Sequence, residues 1–316
     1  MNLTSNTRAF IEAEQYSQFI LHNLHDGLLP GSFYRDVTDF GSGDTLHIKT
    51  VGTVTLQETE ENSPLDYNPI ETGEVQLKIT VQEGDAWYVT DDLREDGTDI
   101  DALMVARATE STRAFQEVFE TKFFKTAAEA YPSADPYNVN GFAHKIVSAE
   151  SNNIFSLDHL IMMRLAFKKA NVPDMGNVFF CDPVVEATLN KKINLQSDIS
   201  EFAKTVLQGG MSSGMYWITR IFGWDIIVSN RLYVGDAADG TTTVNDAVWN
   251  VCMNILDDQT KPIMAAWRRR PVVEGVRDAE HRRDKFTATA RYGFGVQRMD
   301  TMGIIATSAT HTEPSS

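Results

Sequence analysis

Residues 99–130 read DIDALMVARATESTRAFQEVFETKFFKTAAEA, a run without a single glycine or proline. Apolar side chains recur at Ile100, Leu103, Met104, Ala108, Phe115, Val118, Phe119, Phe124 and Ala127, close to the 3.6-residue period of a helix. Thr98 or Asp99 offers a capping oxygen at the start, and Pro132 prevents continuation. At about 1.5 Å per residue the run predicts a helix of roughly 48 Å, longer than most globular helices. Its other face is polar, carrying Arg107, Glu110, Arg113, Glu117 and Glu120. Such a strut fits one layer of a flat molecule better than the core of a compact enzyme.

On the N-terminal side of this strut lies a thin, acidic excursion, residues 43–87. Residues 45–56 alternate in strand fashion through Leu46, Ile48, Val51, Val54 and Leu56, and residues 75–81 do so again through Val75, Leu77, Ile79 and Val81. Between them, Asn62-Ser63-Pro64 and Asn68-Pro69-Ile70 carry turn chemistry. An isolated hairpin is marginal in water, so this one is expected to lie on another surface, such as that of a neighbouring subunit. Residues 1–42 combine a short helical pattern (Phe10, Ala13, Tyr16, Phe19, Ile20) with loop signals such as Pro30-Gly31, and read as an arm.

On the C-terminal side, residues 132–155 are rich in turn residues. Residues 156–170 form a capped amphipathic helix pattern (Leu157, Leu160, Ile161, Leu165, Phe167) and 177–181 a buried strand. Asp182-Pro183 opens a further helix with proline in its first turn. Residues 209–214 read as a flexible loop, 216–221 and 224–229 as strands around Gly223, 235–243 as a polar loop, and 244–256 as mostly helical. Residues 267–307 read as several strands, and 308–316 as a flexible tail. The fold class expected from this order is α+β.

At 316 residues the chain suffices for one elaborate domain or two ordinary ones. The longest apolar stretches are a few residues, against the roughly 20 that a membrane helix needs, and the first residues have no secretory-signal pattern. Cys181 and Cys252 sit in apolar contexts with no CxxC or CxxH spacing, and read as reduced, buried side chains. The net charge of −16 argues against a free protein that wraps nucleic acid. Its distribution says more. Residues 51–77 hold Glu58, Glu60, Glu61, Asp66, Glu71 and Glu74 and no lysine or arginine, whereas residues 268–298 hold nine basic residues against four acidic ones. Opposite-sign patches can dock neighbouring copies of one chain; two independently solvated faces read as well from charge alone.

No catalytic constellation accompanies these parts. The seven histidines (His22, His25, His47, His144, His159, His281, His311) include no HExxH motif, and the His22/His25 pair reads as solvated or core. Ser212-Ser213-Gly214 and Gly293-Phe294-Gly295 match no nucleophile elbow, dinucleotide fingerprint or phosphate loop. The carboxylate pairs Asp91-Asp92 and Asp257-Asp258 read as caps. No catalytic, metal or cofactor residue is assigned.

The order of parts resembles the major capsid protein of tailed bacteriophages, the Hong Kong 97-type shell fold, over essentially the whole chain. Gly43-Asp44-Thr45-Leu46-His47-Ile48 resembles the strand that opens the extended loop of many phage capsids, and residues 99–130 resemble the spine helix. Residues 177–183 resemble the first axial-domain strand and the helix after it. Ile221-Phe222-Gly223-Trp224-Asp225-Ile226-Ile227-Val228-Ser229-Asn230-Arg231-Leu232 resembles the axial strand pair, which often reads G-x-x-V-x-x-S-N. Residues 276–307 resemble the returning strands of the peripheral domain.

The resemblance implies an N-terminal arm (1–42), an extended hairpin loop (43–87) and a peripheral domain (88–155) with its spine helix (99–130). It further implies an axial domain (156–266), returning peripheral strands (267–307) and a flexible tail (308–316). It implies hexamers and pentamers tiling an icosahedral virion capsid around packaged double-stranded DNA, assembled in the host cytoplasm, with no membrane and no cofactor. Intersubunit contacts are expected at Glu58, Glu60, Glu61 and Glu71 and at Arg268, Arg269, Arg270, Arg277, Arg282 and Arg283. A separate scaffolding protein, a portal and decoration proteins are implied partners. Lys49 and Lys78 lie on the hairpin strands, but no motif locates the asparagine or glutamate that lysine crosslinking in some relatives requires. The alternatives are an encapsulin-like nanocompartment, disfavoured by the long acidic loop, and an enzyme with an unrecognised site.

Overall fold

The computed structural model describes residues 31–38, 43, 45–52, 58, 72–97, 100–131, 134–195 and 217–311. Strands β1 (Arg35–Asp36), β2 (Thr45–Val51), β3 (Thr72–Lys78) and β4 (Val81–Thr90) precede helices α1 (Asp91–Asp96) and α2 (Ile100–Glu129). Strands β5 (Asn138–Val139), β6 (Phe142–Ala143) and β7 (Lys145–Val147) lead to α3 (Leu157–Lys169), β8 (Asn177–Cys181) and α4 (Pro183–Leu195). Then follow β9 (Trp217–Ile221), β10 (Trp224–Val228), β11 (Val234–Ala238), β12 (Thr243–Asn254), β13 (Ile263–Asp278), β14 (Arg283–Val296) and β15 (Met302–Ser308). The chain divides into two compact units, one with residues 84–115 and 271–289, the other with 28–83, 116–270 and 290–316. The segments expected to form the arm helix, the loop at 209–214 and most of the hairpin tip lie outside the described residues.

The larger unit is built on a seven-stranded sheet in the order β7-β15-β12-β8-β10-β9, with β11 also paired to β12. Strand β8 is buried at every position, as a strand covered on both faces must be. On one face, Phe123, Phe124, Ala127 and Ala128 of α2 pack with Phe180, Val251 and Ile304. On the other, Leu160, Met163 and Phe167 of α3 and Val185 and Leu189 of α4 pack with Phe179, Trp224 and Cys252. Each fully buried side chain of this size contributes about 1.5–3 kcal/mol. Phe180 meets Phe33 and Phe124 edge-to-face at 5.1 and 5.3 Å, the arrangement ring quadrupoles favour.

Local signals explain several elements. Ser156 and His159 form a reciprocal capping box at the start of α3. The turn between β9 and β10 is Phe222-Gly223, with φ of 49° and 86°, the double left-handed pattern of a tight hairpin. In β14, a Cβ on Gly293 would overlap the Lys78 carbonyl, so only glycine lets that strand approach.

Two expectations fail. Residues 244–256 are not helical, because Thr243–Asn254 is strand β12. Its apolar residues at Val244, Ala247, Val248, Val251 and Cys252 have helical spacing, but its second half is buried on both faces, and a doubly covered strand has no period to read. The polar loop expected at 235–243 begins inside strand β11, whose Asp236 is exposed, and only residues 239–242 connect it to β12. The strand expected to end at residue 307 includes Ser308.

In the smaller unit, the first half of α2 faces β4 and β14. Trp87 stacks on Phe286 at 5.8 Å, the Arg107 guanidinium lies 5.0 Å over the Trp87 ring, and Arg107 pairs with Asp85 at 2.8 Å.

Candidate assembly interface

Strand β13 changes character along its length. Residues 263–266 are buried and Arg268, Arg269 and Arg270 are exposed. Trp267 is the anchor between them. It stacks on Phe119 at 4.5 Å, and its backbone N–H donates to Thr38 Oγ1 at 3.2 Å. Of the arginines that follow, Arg270 reaches Asp36 at 3.4 Å. A surface ion pair of this kind contributes about 0–1 kcal/mol, so Arg270 can be re-partnered at small cost.

The other three predicted arginines belong to the smaller unit. Arg277 forks onto Asp91 through two contacts of 2.6 Å and also reaches Asp284 at 3.1 Å, and Arg94 meets the same Asp284 at 2.6 Å. Hydrogen bonding to Arg277 holds the Asp91 carboxyl below the usual carboxylate range, and the Arg277 guanidinium is pushed up by the same contacts. Asp278 accepts from Lys285, His281 and Arg283, and lies well below the usual range for that reason, Lys285 first. Arg283 also lies 4.8 Å over the Tyr88 ring. Arg282 is exposed in a left-handed turn, its carbonyl accepting from the Asp91 N–H at 3.0 Å. Thus Arg277 and Arg283 direct their guanidinium groups to carboxylates of their own chain, and Arg282 presents its side chain outward.

The hairpin is antiparallel, with Thr45 opposite Lys78, Lys49 opposite Glu74 and Val51 opposite Thr72. Its inner residues Leu46, Ile48, Val75 and Leu77 cluster with Met264 and Ala266 of β13. On its outer face His47 bonds Glu74, and this contact, ahead of Gln76, lowers the Glu74 pKa. Glu58 is exposed. Glu60, Glu61 and Glu71 lie outside the described residues.

Sequence reasoning missed several buried polar contacts of the larger unit. Arg231 reaches Glu117 at 3.1 Å and Glu120 at 3.2 Å, clamping α2 to the loop after β10. Asn250 and Asn254, both fully buried on β12, act as hydrogen-bond hubs. Asn254 Nδ2 meets the Pro173 and Met175 carbonyls and Asn177 Oδ1, and Asn250 Nδ2 meets the Ile305 carbonyl and Thr307 Oγ1. The only available signal was polar residues interrupting a buried run. Cys181 and Cys252 are free and buried, and burial pushes both thiols well up. Among the described residues no His/Cys/Asp/Glu group could hold a metal ion, and no helix is long and apolar enough to cross a membrane.

Residues 74–307 match the family model described as phage capsid protein. The fold superposes on the capsid of cyanophage P-SCSP1u with a TM-score of 0.68 at 16% identity, covering 96% of this chain and 94% of that one. The mature capsid of bacteriophage PhiM1 gives 0.68 at 11% identity, covering 95% and 93%, and the capsid of Ralstonia phage GP4 gives 0.65 at 12%, covering 97% and 98%. No curated protein sequence matches the chain. With the family model spanning well over half of its length, the chain belongs to the phage capsid protein family and has that family's α+β shell fold.

Proposed function

We propose that this chain is a tailed-phage major capsid protein that assembles as hexamers and pentamers into a closed icosahedral shell around double-stranded DNA. The family match over residues 74–307 carries this reading. Its role is structural. In this reading residues 1–42 are the arm, 43–87 the extended loop, 88–155 and 267–307 the peripheral domain, 156–266 the axial domain and 308–316 the tail. The acidic tip with Glu58, Glu60, Glu61 and Glu71 lies over an adjacent copy, and Arg268, Arg269, Arg270 and Arg282 receive it. Arg277 and Arg283, whose forks are engaged by Asp91 and Asp278, brace the strands that present them. Such ion pairs add orientation more than net energy. Scaffolding, portal and decoration proteins are the partners a shell of this kind calls for, and assembly takes place in the host cytoplasm.

The test is sedimentation of the protein expressed alone and with its neighbouring genes. Megadalton particles or capsomers are expected, with nuclease-protected DNA in particles purified from lysates. A small oligomer under every condition overturns the reading, and shells filled with protein and free of DNA replace it with a nanocompartment.

A further inference from the structure

Asn140-Gly141 is the one Asn-Gly step in the chain; each of the other asparagines precedes a residue that carries a side chain. The step forms the turn between β5 and β6, which pair through Asn138 opposite Ala143 and Val139 opposite Phe142. Asn140 and Gly141 have φ of 51° and 83°, the two left-handed positions that a two-residue hairpin needs and that Asn-Gly supplies. Both residues are exposed, and a Cβ on Gly141 would meet nothing within 4 Å. Each strand is only two residues long, so this ribbon opens far more readily than the seven-stranded sheet.

The Asn140 side chain also serves the end of α3. Beyond the last turn of that helix, the Phe167 and Lys168 carbonyls accept from the Val172 and Asn171 N–H groups at 3.0 and 3.2 Å. The Lys169 carbonyl accepts instead from Asn140 Nδ2, at 2.7 Å. The amide thereby satisfies one of the carbonyls that a helix C-terminus leaves without an intrahelical donor. Lys169 holds the hairpin a second time, with its Nζ 5.6 Å from the centre of the Phe142 ring. A carboxylate in place of the amide has no proton to donate, and sets an acceptor against an acceptor at the negative end of the helix.

We propose that Asn140 is a spontaneous deamidation site, and that its conversion unfastens the β5–β6 hairpin from α3. The Gly141 nitrogen attacks Asn140 Cγ, an approach that no Cβ on residue 141 obstructs. The Cγ–Nδ2 bond breaks, and the NH2 group leaves as ammonia with the proton of the Gly141 N–H. Water then opens the five-membered imide, at Cγ to give aspartate or at the main-chain carbonyl carbon of residue 140 to give isoaspartate. The water oxygen enters the new carboxylate, one of its protons returns to the Gly141 nitrogen, and nothing is oxidised or reduced. Either product loses the donor to Lys169, and isoaspartate also adds a carbon to the backbone of a two-residue turn. The proposal is independent of the shell-forming reading.

The first test is peptide mapping by mass spectrometry of the folded, full-length chain kept in mildly alkaline oxygen-18 water. Residue 140 should take up heavy oxygen at least tenfold faster than Asn138 on the same ribbon, and Asn140→Gln, which would need a six-membered ring, should abolish the uptake there. Uptake at residue 140 no faster than at Asn138 overturns the site. The second test is hydrogen–deuterium exchange of Asn140→Asp, which imitates one product and folds because Asp-Gly also fits this turn. The His144 N–H, which closes the base of the ribbon on the Tyr137 carbonyl at 3.0 Å, should exchange at least tenfold faster than in the wild type. Exchange equal to the wild type, as when the Lys169 ammonium captures the new carboxylate, overturns the unfastening.

Discussion

Arg231→Ala tests the clamp between the second half of α2 and the loop after β10. The Arg231 side chain is 14% exposed, with Glu120 at 9% and Glu117 at 27%. Removing one partner of a buried ion pair costs about 3–5 kcal/mol, because the charge left behind loses its compensation. The partial exposure of Glu117 lets water screen its share, so the expected loss is about 2–4 kcal/mol. With an m-value of about 3 kcal/mol per M for a chain of this size, the urea midpoint falls by about 1 M. The assay is urea unfolding of the unassembled subunit followed by tryptophan fluorescence, which reports through the buried Trp224 and Trp249. Arg231→Lys should fall between wild type and alanine, since an ammonium cannot serve two carboxylates with a planar fork. Combining Arg231→Met with Glu117→Gln and Glu120→Gln should recover part of the loss, because the two carboxylates that Arg231 compensates are then neutral. An alanine variant within about 0.5 kcal/mol of wild type would refute the clamp and reclassify it as an ordinary surface pair.

Reversing Glu58, Glu60 and Glu61 to lysine should abolish particle assembly while circular dichroism stays unchanged; normal particle yield from that triple variant counts against docking of the hairpin. Gly223→Ala should destabilise the subunit by about 1–2 kcal/mol in chemical denaturation, since φ there is 86° and the new methyl meets Arg164. His144 is fully buried, donates from Nδ1 to the Met302 carbonyl, and has no partner for Nε2 among the described residues. Burial lowers its pKa below 6.5, with the Met302 hydrogen bond and then Asp300 opposing the shift in part. As pH falls the unfolded chain therefore takes up this proton first, so stability is full above about pH 6.5 and declines below it. His144→Gln should flatten that decline, read as the difference between urea midpoints at pH 7.5 and 5.5, and an unchanged slope would assign the dependence elsewhere.

Much of the fold was legible where one periodicity dominated. The run without glycine or proline at 99–130 gave α2 to within one residue at each end. Gly223 marked the β9–β10 hairpin and Asp182-Pro183 the start of α4, because both signals are local backbone chemistry. Strand β12 was not legible, because burial on both faces erases the alternation that marks a strand. The apolar pattern of α3 was legible but ambiguous. Leu157, Leu160, Ile161, Leu165 and Phe167 read as one face, whereas the structure turns Leu160 and Phe167 inward and Ile161 and Leu165 outward. Charge segregation pointed to the basic stretch of β13 and β14 but not to its internal pairing. Nothing local in the sequence says that Arg277 faces Asp91, since the two are separated by 186 positions.

The most direct test of the central claim is electron microscopy of particles from cells expressing this chain alone and with its neighbouring genes. Closed, regular shells whose reconstruction places it in five-fold and six-fold rings are the predicted result. Uniform small particles under every condition, with no rings or shells, would contradict it.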